Sequence, residues 1–166
     1  MDKIRVSLFM GRDECEIRQD PEGDGHFGAS RGTRTHRGVD FVCQHGDTII
    51  SPVHGQVTKI GYPYASGPGG ANGSSADAYR YIQITTNPDE QSKRHHRLFY
   101  LTPGPPLQIG VWVKPDTRIA SAMDVARRYD TEDGKSQMLT HIHYEIKTAT
   151  GEYLNPMEEM DWRIQT

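Results

Sequence analysis

Seven short segments rich in β-branched and aromatic residues, most of them bounded by Gly, Pro or Asp, carry the hydrophobic pattern of this chain. Such segments are typical of β-strands. Only residues 122–129, where Ala, Met, Val and Arg cluster without Gly or Pro, favour a helix. The sequence therefore predicts a mostly β protein. The predicted strands cover residues 48–53, 56–62, 79–86, 97–102, 111–114, 118–120 and 140–147.

Between two of these strands lies a loop, residues 64–76, with the sequence YASGPGGANGSSA. Gly, Ser, Pro and Asn favour turns, and a loop of this length is often functional or mobile. The segments on either side are too short and too strand-like to form separate cores, so we expect one domain over residues 1–166. Within it, residues 1–26 look irregular and residues 27–156 carry the motifs described below.

The composition and charge of the chain argue against some classes of function. The chain has 166 residues, 34% of them hydrophobic, a net charge of −3 and a mean hydropathy of −0.72. The chain lacks the row of Lys and Arg residues that contacts the phosphates in nucleic-acid-binding proteins, so we expect no nucleic-acid partner. No apolar run approaches the roughly 18 residues of a membrane span, and residues 6–10 are too short for the core of a signal peptide. We therefore expect no membrane span and see no export signal.

The segment THIHYEI, residues 140–146, places two histidines on one face of a predicted strand. Side chains alternate between faces, so His141, His143 and Glu145 point one way and the intervening apolar residues point into the core. The Cα atoms of the two histidines are then about 6.6 Å apart. One imidazole can bind a metal while the other reaches a metal-bound water, although such a pair is also common on an ordinary polar strand face.

A second pair, His36 and Asp40, lies in the segment THRGVDF, residues 35–41. Their spacing of four puts them on one face of either a strand or a helix, and the Gly38-Val39 pair between them favours a turn into a strand. Two histidines and one carboxylate form a recognised first shell for catalytic zinc, with the fourth position left to water. The sequence offers that set in His36, Asp40 and His143, although the spacing of His36 and Asp40 also arises by chance.

The remaining histidines have more ordinary interpretations. His45 and His54 each precede a glycine, and His95 and His96 lie in the charged segment SKRHHR, residues 92–97. We expect all four on the solvated surface, and the sequence assigns no role to His26.

Several short motifs follow one another in a fixed order along residues 27–156. They are Phe27-Gly28, Arg31, the run from His36 to Asp40, Gly46-Asp47, Pro52, Gly55-Gln56-Val57, His141-Ile142-His143 and Asn155-Pro156. In this order they resemble the lysostaphin-type zinc endopeptidases, and the ordered set is far more specific than its parts. The resemblance implies a mostly antiparallel β-sheet or sandwich, with long loops such as residues 64–76 forming the walls of a zinc groove.

The same resemblance implies residue roles. It implies that His36, Asp40 and His143 carry the zinc, that His141 is the general base, and that the substrate is the peptide of bacterial peptidoglycan. Active members of the family usually have a further histidine in a Tyr-x-His-Leu segment, where this chain has Leu98-Phe99-Tyr100-Leu101. Tyr100 replaces that histidine, and a phenol can still donate to a developing oxyanion. His95 and His96 are also close enough in sequence to substitute for it.

A second resemblance is to the leukocyte cell-derived chemotaxins, secreted vertebrate relatives that have this fold and a zinc site but no established peptidase activity. It rests on Glu16-Ile17-Arg18, residues 36–40, Cys43, and Phe99-Tyr100 followed by Pro103. In that group the cysteine matching Cys43 forms a disulfide with a cysteine near the N-terminus. Cys15 is not at the matching position, so a disulfide and two buried free thiols are equal alternatives.

Two functions of different class follow. One is a zinc endopeptidase of bacterial cell walls, which acts in the periplasm or outside the cell. Without a visible signal peptide, it would be delivered by a secretion apparatus, phage lysis or cleavage of a precursor. The other is a catalytically weak or inactive binding module that keeps zinc and uses the groove to hold a ligand.

Overall fold

The computed structural model describes residues 5–73, 76–105 and 107–165, and most of their regular structure is β-strand. The strands are β1 (Arg5–Val6), β2 (Gln19–Asp20), β3 (Gly23–Asp24), β4 (Ser30–Arg31), β5 (Arg34–Thr35), β6 (Val39–Val42), β7 (Thr48–Ile50), β8 (Gly55–Gly61), β9 (Arg80–Thr86), β10 (Arg94–Pro103), β11 (Trp112–Val113), β12 (Arg118–Ala122), β13 (His141–Thr148), β14 (Tyr153–Leu154) and β15 (Asp161–Trp162). A 3₁₀-helix spans Val125–Tyr129, and a single α-helical turn, α1, spans Pro156–Glu159. The predicted mostly β class is confirmed.

One antiparallel sheet of nine strands organises the described residues. Its main path runs β11-β8-β9-β10-β12-β7, and the long strand β10 pairs with both β12 and β13 along one edge. Strand β13 continues the sheet to β6 and β14. The short pairs β2–β3 and β4–β5 form two separate hairpins. The first lies within residues 1–26, which were predicted to be irregular, and the second follows that segment.

The core lies on one face of this sheet because side chains alternate along each strand. Ile82 of β9, Leu98 of β10, and Ile142 and Tyr144 of β13 are fully buried there. The opposite face of β13 carries His141, His143 and Glu145. The alternation expected from THIHYEI is therefore present, and it separates the core from the polar face.

The predicted helix over residues 122–129 is wrong in length and type. Ala122 ends β12, and the helical part is only the five residues of the 3₁₀-helix. The backbone N–H of Ala122 donates to Asp47, which keeps this residue in the extended conformation of the strand. Long-range pairing thus overrides the local helix preference.

The surface assignment is also wrong for His96. The strand β10 turns alternate side chains of the charged segment inward, so His96 is buried and its Nδ1 forms a 2.7 Å hydrogen bond with the Tyr144 hydroxyl. His95 is half-buried, whereas His45 and His54 are exposed as expected.

The loop predicted over residues 64–76 is present, with neither strand nor helix in its described residues, while Ser74 and Ser75 lie outside them. Arg128 lies 3.6 Å from the centre of the Tyr64 ring and donates to the backbone carbonyls of Ser66 and Pro68. These contacts hold the loop against the 3₁₀-helix. Among the described residues, no helix is both long and apolar enough to cross a membrane.

Candidate metal centre

Two neighbouring strands and the turn before one of them bring the candidate ligands together. In the antiparallel pair of β13 and β6, His143 lies directly opposite Asp40, so their side chains share the polar face. His36 precedes β6 by three residues. Gly38 lies between them, and a Cβ there would overlap the Tyr144 carbonyl oxygen and lie 2.9 Å from Cε1 of His143. Glycine therefore allows the close approach that places His36 beside β13.

The three side chains point at a common position. His143 Nδ1 lies 2.9 Å from Asp40 Oδ1, and His36 Nε2 lies 3.1 Å from the same oxygen. The two imidazole nitrogens are 3.0 Å apart. Tetrahedral ligands about 2.1 Å from zinc lie about 3.4 Å from one another, so a small outward shift would admit the ion. Two imidazole nitrogens and one carboxylate oxygen also form a donor set that zinc accepts.

Hydrogen bonds on the far side of each imidazole orient the candidate ligands. His36 donates Nδ1–H to the carbonyl of His26, 3.0 Å away, because a carbonyl can only accept. His143 Nε2 lies 2.9 Å from Oε1 of Glu145, whose Oε2 accepts from Arg97 at 3.2 Å. Such partners fix the tautomer and leave the other nitrogen free for a metal. Strand alternation predicts that Glu145 lies on this face but indicates no role for it.

A buried arginine links Asp40 to the region of His141. Arg18, 4% exposed, donates to Asp40 Oδ2 at 3.1 Å and to both carboxylate oxygens of Asp20. Asp20 in turn accepts from the backbone N–H of Leu139. The carbonyl of Leu139 accepts from Nδ1 of His141 at 2.7 Å. Arg18 belongs to the motif Glu16-Ile17-Arg18, but nothing in the local pattern predicts its contact with Asp40.

The charges in the site shift the pKa values of its members. Burial would raise the pKa of Asp40, but hydrogen bonds from His143 and His36 hold it well below its usual range. Burial would lower the pKa of His143, but hydrogen bonds to Asp40 and Glu145 overcome it and raise that pKa to about 9. For His141, burial prevails and lowers the pKa. His141 is therefore neutral at neutral pH, whereas metal-free His143 carries a proton.

Tyr100 lies beside His141, where β10 is irregular. The pairing of β10 with β9 shifts register between Phe99 and Leu101, and Tyr100 has a left-handed φ of 77°. Its ring meets His141 edge-on, with centroids 5.6 Å apart, and stacks on Tyr64 at 5.9 Å. Burial raises the pKa of Tyr100 to about 12, so the phenol keeps its proton.

These residues line one cavity of about 580 Å³. His36, Asp40, His141 and His143 lie together in it with Tyr100. Of the loop over residues 64–76, only its first residue, Tyr64, lines the cavity among the described residues. His95 and His96 do not line it, so neither is placed to substitute for the histidine that Tyr100 replaces. Cys15 and Cys43 also lie elsewhere, as buried free thiols.

The chain resembles known proteins in part of its sequence and in its fold. It matches no protein-family model. A stretch of 58 residues is 34% identical to leukocyte cell-derived chemotaxin-2 of Bos taurus, covering 34% of this chain and 38% of that protein. The chain therefore spans well under half the length of this curated relative.

Several solved structures are similar. Csd3 of Helicobacter pylori superposes with a TM-score of 0.57 and 18% identity, over 89% of this chain and 33% of that one. The catalytic domain of the antimicrobial peptidase lysostaphin from Staphylococcus simulans gives a TM-score of 0.55 and 16% identity, over 85% and 90%. A zinc-containing peptidase from Vibrio cholerae gives 0.53 and 20%, over 92% and 40%. The chain thus has the fold of the lysostaphin-type peptidases that its ordered motifs predicted.

Proposed function

We propose that the chain is a zinc-dependent endopeptidase that hydrolyses peptide bonds in bacterial peptidoglycan. The observation that carries the proposal is the convergence of His36, Asp40 and His143 on one position, with a neutral His141 beside it in an open cavity. The similar fold of lysostaphin, an antimicrobial peptidase, and of a zinc-containing peptidase supports it. Such an enzyme acts at the cell wall, outside the cytoplasm.

His36, Asp40 and His143 would hold the zinc through Nε2, a carboxylate oxygen and Nδ1. Bound zinc supplies Lewis acidity, which polarises a scissile carbonyl and lowers the pKa of water toward ~7. Glu145 and the His26 carbonyl keep the two imidazoles in the required orientation from the opposite side. Three protein ligands leave a coordination position for water and substrate.

His141 is the general base in this proposal. Its Nδ1–H is donated to the Leu139 carbonyl, so Nε2 has a free lone pair that can accept a proton from the attacking water. Asp40 Oδ2 lies 3.6 Å from that nitrogen and stabilises the imidazolium that forms. The imidazolium then returns the proton to the leaving amine.

Tyr100 is the proposed oxyanion donor. Its phenol remains protonated and lies on the same side of the cavity as His141. A positioned hydroxyl can donate to the oxygen on which charge develops, as a histidine would.

The test is release of new amines from peptidoglycan sacculi by the zinc-loaded protein. We expect release by the wild type and strong loss in His141→Ala at unchanged zinc content. His54→Ala is the matched control, because His54 is exposed and its ring lies 5.6 Å from that of Trp112, outside the cavity. A zinc-loaded wild type that releases no amines from any peptidoglycan type refutes the proposal.

A second candidate is a zinc-containing binding module without peptidase activity. The specific observations in its favour are Tyr100, in place of the usual histidine, and the similarity to leukocyte cell-derived chemotaxin-2. This candidate predicts stoichiometric zinc, no release of amines and no effect of Tyr100→Phe on ligand retention by the cavity.

A further inference from the structure

The cavity above the candidate metal site has more positive than negative side chains on its walls. Five arginines line it, against three carboxylates, although the whole chain has a net charge of −3. A cleft whose walls carry one sign of charge concentrates ligands of the opposite sign. The positive excess is thus a property of this cavity rather than of the whole protein.

Three of the five arginines already have a carboxylate partner. Arg18 is paired with Asp20 and Asp40, and Arg97 with Glu145. Arg31 donates to the carbonyls of Ser30 and Asp24 and lies 3.6 Å from the Asp40 carboxylate. These three guanidinium groups hold the candidate ligands and their surroundings in place.

The other two arginines, Arg34 and Arg37, are exposed and form no ion pair within the part of the chain that the structure describes. Glu22, the remaining carboxylate of the cavity wall, is not within ion-pair distance of either. Arg37 lies 4.9 Å from the centre of the Tyr153 ring and donates to its hydroxyl at 3.4 Å. That stacking holds a cation at the cavity wall without neutralising it.

The hairpin of β4 and β5 adds a further argument. Arg34 lies directly opposite Arg31 in the antiparallel register, and like charges in such a pair are destabilising. The groups that contact Arg31 do not neutralise the positive charge of Arg34. An anion bound beside Arg34 would relieve this repulsion and would lie in the cavity that contains His141 and His143.

We infer that Arg34 and Arg37 bind a carboxylate of the peptide substrate, so that the site selects acidic peptides over neutral ones. The inference rests on the proposed peptide-hydrolysing function and names its substrate class. Guanidinium groups suit this role because their planar fork donates two parallel hydrogen bonds to a carboxylate. The carboxylate can come from an acidic side chain or from the end of the peptide.

The test is isothermal titration of the zinc-loaded chain with matched synthetic peptidoglycan stem peptides. One peptide has all carboxylates free, a second has its side-chain carboxylates amidated, and a third has only its C-terminus amidated. We compare the wild type with Arg34→Gln, Arg37→Gln and the double variant. Arg163→Gln serves as control, because Arg163 is exposed and does not line this cavity. Circular dichroism checks that each variant is folded.

We expect the free acid to bind the wild type about tenfold more tightly than one of the amidated peptides, the equivalent of ~1.4 kcal/mol. The amidated peptide that binds with lower affinity then identifies which carboxylate the arginines contact. The preference should fall in each single variant, disappear in the double variant, persist in Arg163→Gln and weaken at high salt.

Equal affinity for all three peptides, no binding of any, or a preference that survives in the folded double variant overturns the inference. Amine release from the same peptides is measured separately, so the two proposals can fail independently. Selective binding without cleavage would refute the proposed hydrolase and keep the acidic preference. Cleavage with equal affinity for all three peptides would keep the proposed hydrolase and refute the acidic preference.

Discussion

The raised pKa of His143 makes the stability of the metal-free protein depend on pH in a defined direction. The folded protein holds the His143 proton between Asp40 and Glu145, with a pKa of about 9 against an ordinary value of 6.5. Because the folded-state pKa is the higher one, this stabilisation is fully present below pH 6.5. It is lost as the pH rises through about 9.

The size of the effect follows from the shift. From 6.5 to about 9 is two and a half units, and at 1.36 kcal/mol per unit the free energy of unfolding should fall by about 3 kcal/mol over this range. The thiols of Cys15 and Cys43, whose pKa values burial raises from 9.0 to about 11 and about 12, begin to destabilise the fold in the same direction above pH 9. The contribution of His143 must therefore be isolated.

Urea unfolding of the protein in a zinc chelator, at pH 6.5 and pH 9.5, measures the total loss, and the same experiment on His143→Gln isolates the histidine. We expect the loss to be about 3 kcal/mol larger in the wild type than in the variant. An NMR titration of the His143 ring in the metal-free protein should have its midpoint near 9. This prediction is refuted if the wild type and the variant lose the same free energy of unfolding, or if the midpoint lies near 6.5. Either result would mean that His143 does not hold its proton through hydrogen bonds to Asp40 and Glu145.

Three further predictions concern the proposed site and the cysteines. His141→Ala should keep one zinc per chain in metal analysis but lower amine release by about 10² to 10⁴, because it removes a proton-transfer group; loss of zinc would contradict the role. Tyr100→Phe should lower turnover by about 10² to 10³ at unchanged zinc content, the usual loss for one oxyanion donor, and unchanged turnover would exclude that role. Thiol labelling of the unfolded, unreduced protein should find two reactive thiols, Cys15 and Cys43, as the free cysteines of the structure require; two unreactive ones would mean a disulfide.

The strands were predictable from sequence because their pattern is local. Alternation along residues 140–147 separates Ile142 and Tyr144, which are fully buried, from His141 and His143 on the opposite face. Gly38 and Val39 similarly indicated the turn into the strand that carries Asp40. Both candidate pairs are thus local motifs, and the sheet brings them together through the register of β6 against β13.

The features of the site and fold that the sequence does not predict depend on long-range contacts. Arg18 reaches Asp40 across 22 positions, and Arg97 reaches Glu145 across 48, so no local spacing indicates either partner. His96 lies in a charged segment but is buried, because the strand alternation outweighs the polarity of its neighbours. Residues 122–125 have good helix propensity, yet pairing of β12 with β7 and β10 keeps Ala122 extended.

The irregularity in β10 explains how Tyr100 reaches the candidate site at all. With strict alternation, Phe99 would face the cavity and Tyr100 would face the core. The register shift instead puts both rings on the polar side, with Phe99 against His143 and Tyr100 against His141, and returns Leu101 to the core. Such a bulge re-aims a side chain.

This placement has an energetic cost that packing must offset. A non-glycine residue in the left-handed region costs about 1–3 kcal/mol, and an aromatic residue has no local hydrogen bond to reduce it. The ring of Tyr100 packs against Tyr64, Tyr79 and His141, and these contacts hold it in place. Since Tyr100→Phe keeps the ring and removes only the hydroxyl, it leaves both the strain and the packing unchanged. A change in turnover in that variant therefore reports on the hydroxyl itself, which is why this substitution separates the peptidase from the binding module.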